Sequence, residues 1–397
     1  MTPKQLSQEV YSELTENILP FWLNKVVDIE RGGFYGRIDG NNELHADAEK
    51  GAILNARILW TFSAAYRVLK RPEYLEAATR AKEYILAHFY DDEFGGTYWS
   101  VDCNGKPKDT KKQFYAIGFM IYGLSEYARA TGDEQALDYA IRLFECIETR
   151  SLDKVHNGYI EACKRNWEKI DDMRLSDFDA NYPKSQNTHL HIIEPYTNLF
   201  RIWKDPRLEK ALRNLIDIFT DRILNPETHH LDLFFDDDWT RGAGHLESYG
   251  HDIECSWLMH EAALVLGDKD VLAKVEPIVQ LVAKASEKGL NPDGSMIHEA
   301  NLDTGHVDDD LHWWVQAETV VGFYNIYQYF ADRSALDKAV KCWQYIKDNL
   351  IDHANGEWYW SRHADGSLNT TDDKAGFWKC PYHNGRMCLE IIERNEI

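Results

Sequence analysis

The chain has 397 residues, a formal charge of −22 and 44% hydrophobic residues, with 13 Trp and 21 Tyr among them. That supplies a large core with rings to spare, and the acidity without any basic patch argues against nucleic acid or an anionic membrane surface as partner. No apolar run approaches a membrane span and Met1 to Leu6 lacks the pattern of a secretory signal, so a cytoplasmic protein is expected.

Apolar residues recur at helical spacing in twelve stretches: 6–21, 53–69, 74–89, 114–130, 136–147, 191–203, 208–223, 251–266, 271–285, 313–330, 335–350 and 383–392. They pair as hairpins around short turns: Lys70-Arg71-Pro72, Thr131-Gly132-Asp133, Lys204-Asp205-Pro206, Gly267-Asp268 and Asp332-Arg333. Short turns force antiparallel neighbours, whereas the links between hairpins are long and therefore share the opposite face. Most links carry a Gly-aromatic pattern, such as Gly32-Gly33-Phe34, Gly95-Gly96-Thr97-Tyr98 and Gly356-Glu357-Trp358, that reads as short strands with tight turns. The longest link, 151–185, reads as a lid or rim. The first helix lacks an inner partner and the last lacks an outer one, so the two can pair. The expected fold is all-α, one domain over 1–397, a closed toroid of six inner and six outer helices.

Chemistry-bearing residues cluster at inner-helix starts on the face of the long links. His191, His251 and His383 each open one, where an imidazole near its ordinary pKa of ~6.5 can exchange protons and the helix dipole disfavours added positive charge. Glu254 follows His251 by three residues and is expected either to orient it or to be a plain buried partner. Arg57 interrupts an apolar inner helix; it needs an anion, which a substrate oxyanion or a salt bridge to Glu254 or Glu318 would supply. Tyr115, Trp313, Trp314 and Trp378 lie at or before inner-helix starts, as sugar-stacking rings or, for Trp313 above all, as core. His191, His251, His383 and Glu254 would also suit zinc, but no i, i+4 histidine pair marks a metal helix, and no metal is expected. Seven cysteines, an odd number without metal spacing, are expected as free thiols.

The strings 187–199 (NTHLHIIEPYTNL), 250–259 (GHDIECSWLM), 312–318 (HWWVQAE), 376–386 (GFWKCPYHNGR) and 50–60 (KGAILNARILW) resemble the cellobiose 2-epimerases, which stand with N-acylglucosamine 2-epimerase and mannose isomerase in an (α/α)6-barrel superfamily. The resemblance spans nearly the whole chain. It implies a cofactor-free isomerase that inverts carbon 2 of the reducing-end glucose in β-1,4-linked disaccharides through a cis-enediolate. It further implies that His251 and His383 are the acid/base pair, that Arg57 and His191 hold the enediolate oxygens, and that Glu254 supports His251. Asn187 and Tyr115 would contact the reducing sugar, and Trp314 and Trp378 would stack on the substrate, with Trp313 and Glu318 beside them. A monomer or weak homodimer is expected. The competing readings are an aldose-ketose isomerase, a glycoside hydrolase or lyase using Glu254 with Glu318, and a non-enzymatic sugar-binding protein.

Overall fold

A computed structural model describes residues 1–177 and 179–395. Twelve helices alternate between an outer and an inner layer. The outer ones are α1 (3–25, with a widened turn at 13–18), α3 (Pro72–Tyr84), α5 (Glu134–Arg150), α7 (Pro206–Ile218), α9 (Lys269–Ser286) and α11 (Arg333–Asn349). The inner ones are α2 (Ala52–Leu69), α4 (Phe114–Thr131), α6 (Gln186–Ile202), α8 (Tyr249–Leu266), α10 (Trp313–Phe330) and α12 (Tyr382–Asn395). Their sequences explain the layering. Along α2 every residue from Ala52 to Ala65 is buried, as suits a helix enclosed on all sides, whereas α7 buries only a stripe through Leu208, Ala211, Leu212, Leu215 and Ile216.

Each inner helix packs on the next and α12 packs back on α2, while α1 covers α12; the ring is closed. Close approach needs small residues: a Cβ on Gly118 of α4 would lie 2.4 Å from the carbonyl oxygen of His191 on α6. Short turns join the hairpins. Lys70, Gly132, Gly267 and Ala331 end their inner helices in the left-handed conformation, and Asp133, Asp205, Asp268 and Asp332 then cap the outer helices through their side chains.

The links form a repeated device on the other face. Single antiparallel bridges close the turns that follow the outer helices, at Val27–Phe34, Tyr90–Thr97, Leu152–Tyr159, Leu224–Leu231, Leu290–Met296 and Ile351–Trp358. The residues just ahead of α2, α4, α6, α8 and α10 pair with the following link: 50–51 with 100–101, 112–113 with 162–163, 184–185 with 234–235, 246–248 with 299–301 and 311–312 with 361–362. Buried lysines fasten turns to these strands. Lys50 Nζ donates to Asp28 at 2.8 Å, Lys112 to Asp91 at 2.7 Å and Lys184 to Asp153 at 2.8 Å, and Lys374 makes the equivalent contact with Asp352. Each link therefore sets where the next inner helix begins, and with it the side chains of that helix's first turns.

Several helix boundaries differ from the periodicity. Asn187 and His189, expected just ahead of a helix starting at His191, lie inside α6, because Ser185 Oγ accepts the Thr188 amide at 3.0 Å and starts the helix early. On the outer side, α5 extends beyond 136–147 at both ends because Asp133 caps it and polar positions continue the solvent face. No helix among the described residues is long and apolar enough to cross a membrane.

Candidate active site

Inner-helix starts converge on one cavity of about 460 Å³, lined by Arg57, Tyr115, Asn187, His191, His251, Glu254, Trp313, Trp314, Trp378 and His383. Of the residues expected from sequence only Glu318 stands outside this lining, directly behind His383: its Oε1 lies 2.7 Å from His383 Nδ1. The rim comes from the links, with Leu175, Ser176 and Asp179 from the longest one facing Thr371, Asp372 and Phe377 from the last.

The three histidines are held by different partners. His383 Nδ1 donates to the ionised Glu318, which fixes the tautomer and leaves Nε2 with its lone pair. His191 Nδ1 lies 3.0 Å from Glu194 Oε2, one turn along α6. His251 Nδ1 pairs with Ser248 Oγ at 2.8 Å. Burial keeps all three neutral: it pushes His191 and His251 well below the usual histidine range, aided by the neighbouring cations or imidazoles, and holds His383 down at about 3 despite Glu318. Neutral imidazoles are bases.

His189 is the contrasting case. Its Nδ1 donates to the Ser185 carbonyl at 2.6 Å and its Nε2 accepts the Tyr159 amide at 2.9 Å, so it serves the loop and not the cavity. Of the two histidines two residues apart, only His191 faces the axis, as the helical geometry requires.

The two buried arginines divide in function. Arg386 on α12 is fully buried and bonds three carboxylates: Nη1 reaches Glu194 Oε1, also held by Tyr382 Oη, while Nη2 lies 2.7 Å from both Glu254 Oε1 and Glu318 Oε1. Arg57 forms no salt bridge to Glu254 or Glu318, the alternative its sequence position left open. Its Nη2 donates to Tyr115 Oη at 3.0 Å, its guanidinium lies 4.2 Å from the Phe119 ring centroid, and Nε has no partner. A guanidinium in the cavity wall without a carboxylate is suited to an anion that arrives with the substrate.

Glu254 does not bond to His251; the expected orienting pair is absent, and Ser248 takes that place. Side-chain direction explains it: Glu254 turns toward Arg386, and its Oε2 is buried without a partner in the cavity wall. Burial, reinforced by Glu318, raises its pKa well above the carboxylate range and favours its protonated form. Burial alone would raise Glu318 too, but Arg386 and His383 pull it down to about 2. Three carboxylates around one guanidinium cannot all ionise, and the proton resides on the Glu254 side.

Glu254, Glu318 and His383 bring ligand atoms within 4.8 Å of one another, close enough for a metal ion. Arg386 Nη2 already supplies the cation between the two carboxylates, so the donor set is satisfied without a metal. The same arrangement places both carboxylates against one nitrogen, with no gap for a glycosidic bond between them.

Aromatic rings complete the walls. Trp314 lies 4.9 Å from His251 and 5.7 Å from His383 between ring centroids, and Trp378 lies 6.0 Å from Tyr115. Trp313 is buried yet lines the cavity, with its indole nitrogen unpartnered. Asn187 Oδ1 is likewise unpartnered there. Sequence reasoning missed Arg386, Glu194, Tyr382 and Ser248. Glu194 stands three residues after His191, the spacing noticed for His251 and Glu254, and applying it uniformly would have found it.

A second cavity of about 580 Å³ opens at the other end of the barrel, where inner helices finish. Its arginines are paired, Arg67 with Glu126 and Glu393, Arg201 with Glu261 and Arg394 with Glu390, and they complement the helix C-termini.

The closed ring carries a histidine-lined cavity at the mouth of the toroid, and the molecule is an (α/α)6-barrel protein. The chain belongs to the N-acylglucosamine 2-epimerase family, whose model matches residues 33–385. It is 62% identical to the cellobiose 2-epimerase of Bacteroides fragilis, over 98% of each chain. The solved cellobiose 2-epimerase of Bacillus thermoamylovorans superposes with a TM-score of 0.94 at 43% identity, covering 98% of this chain and 100% of that one. A D-mannose isomerase of Marinomonas mediterranea stands further off, 22% identical over 95% of each chain.

Proposed function

We propose that this protein is a carbohydrate isomerase that epimerises carbon 2 of the reducing-end glucose in β-1,4-linked disaccharides, converting cellobiose to glucosyl-mannose and lactose to epilactose. The observation that carries the reading is an uncompensated guanidinium, Arg57, in the same cavity as three neutral imidazoles. The high identity to cellobiose 2-epimerases supplies the substrate class.

The chemistry follows from the groups. After ring opening, His383 Nε2 takes the carbon 2 proton, and negative charge develops on oxygens 1 and 2 of a cis-enediolate. Arg57 stabilises that charge, a well-placed donor contributing about 3 kcal/mol, and His191, whose Nδ1 is held by Glu194, accepts through Nε2 from the hydroxyl of the enediolate. His251, its Nδ1 held by Ser248, takes up a proton from water in the cavity and returns it to the opposite face. His383 then releases its proton to water, which balances the proton His251 took up, and the reverse reaction interchanges the two histidines. Trp314 and Trp378 stack on the sugar, with Trp313 beside them, while Tyr115 and Asn187 contact the reducing end. No bond to a cofactor is needed, because the reaction moves protons and no net electrons. The whole chain acts as one catalytic unit, supported by a continuous apolar core from Leu6 to Ile392. Free thiols at all seven cysteines support a cytoplasmic setting, with the protein a monomer or weak homodimer.

Incubation with cellobiose, lactose, mannose and N-acetylglucosamine, followed by chromatography, tests the reading. Glucosyl-mannose and epilactose are the expected main products. A ketose as main product would make the protein an aldose-ketose isomerase, and released monosaccharide would make it a hydrolase.

A further inference from the structure

We infer that the rim of the cavity carries a binding site for a divalent transition metal ion of the zinc type, formed by His298, Asp308 and His312. These residues come from three positions along the single link between α9 and α10, brought together by its own strand pairing. His298 precedes strand 299–301, Asp308 ends strand 306–308 paired with it, and His312 is the residue before α10. His298 Nδ1 lies 2.7 Å from Asp308 Oδ2, and His312 Nε2 lies 3.9 Å from the same oxygen. The two imidazoles stack at 4.7 Å with 23° between their planes, and the three ligand atoms lie within 4.8 Å of one another.

Around a tetrahedral zinc with bonds of ~2.0–2.1 Å, ligand atoms stand ~3.3 Å apart. The observed separations bracket that value, so small side-chain rotations admit the ion and water fills the remaining position. Two imidazoles and one carboxylate suit zinc, copper or nickel better than magnesium or calcium. Asp309 and Asp310 next in the chain add negative potential, and the three ligands are partly exposed, which leaves an entry path. Unlike the buried set around His383, no arginine or lysine among the described residues bonds to this cluster.

The site faces the substrate path. His298 packs against Trp314 at 5.5 Å, and both histidines line the cavity mouth. An ion drawing the rings together therefore competes with the disaccharide; this last clause alone rests on the proposed function, whereas binding itself does not. Calorimetric titration of zinc into the chelator-treated protein without sugar is expected to show one site of micromolar affinity. Asp308→Asn, which preserves shape but removes the anionic ligand, is expected to weaken it at least tenfold, and His298→Gln provides a second variant should the first fold poorly. Absence of binding, or equal binding by the wild type and the variants, would overturn the site. If binding is lost in the variants but zinc leaves the wild-type KM unmoved, the competition clause falls and the metal site stands.

Discussion

Asn in place of His383 is expected to lower kcat by roughly 10²- to 10⁴-fold, the contribution of one general acid/base group, and Asn in place of His251 to do the same. Both side chains line the cavity and both are neutral, so neither variant removes a buried charge, and far-ultraviolet circular dichroism should be unchanged. His189→Asn is the control: that imidazole bonds only to the loop, so its loss should affect stability and leave kcat nearly intact. Near-normal turnover by either of the first two variants would remove that residue from the proton transfer. A pH consequence accompanies them. His383 has a folded-state pKa of about 3 against an ordinary ~6.5, so the unfolded chain takes up the proton first as pH falls below ~6.5, and stability declines from there downward.

Arg386→Met is expected to destabilise the protein by about 3–5 kcal/mol, since it leaves Glu318 and Glu194 buried without their shared counter-charge. The effect on catalysis is indirect. Arg386 touches the carboxylates behind His383 and His191, so its loss should lower kcat more than it raises KM and should shift the acid limb of the pH profile as Glu318 becomes easier to protonate. Arg386→Lys keeps the charge but not the fork; it should recover part of the stability in urea unfolding and less of the activity. A variant whose kcat and pH profile match the wild type while only stability drops would reduce Arg386 to a structural ion pair.

Much of this arrangement was legible before any coordinates. Hairpin turns such as Gly267-Asp268 combine a left-handed helix end with an Asp cap, a local signal strong enough to place helices, and the unpaired first and last helices imply ring closure. The histidines were legible because each interrupts an apolar inner helix at the same height. What the residues did not reveal was pairing across the ring. Arg386 lies in the same string as His383, but its three partners come from α6, α8 and α10, and no local pattern joins Glu194, Glu254 and Glu318. For the same reason the sequence places Glu318 beside the substrate rings or against Arg57 and not behind His383, and it matches Glu254 with His251 on spacing alone; helical spacing gives proximity, and rotamer choice toward Arg386 decides otherwise. The lysine latches, such as Lys112 with Asp91, escape a local reading because each joins residues 21 to 31 positions apart.

The direct test of proton transfer by two histidines is to run the epimerisation of cellobiose in heavy water and examine carbon 2 of the glucosyl-mannose formed. A proton that His251 takes from solvent is exchangeable, so the product should carry deuterium at carbon 2 from the first turnovers. Product that keeps the original hydrogen at carbon 2 throughout would contradict the account, since the atom would then have moved without passing to a second, solvent-exchanged base.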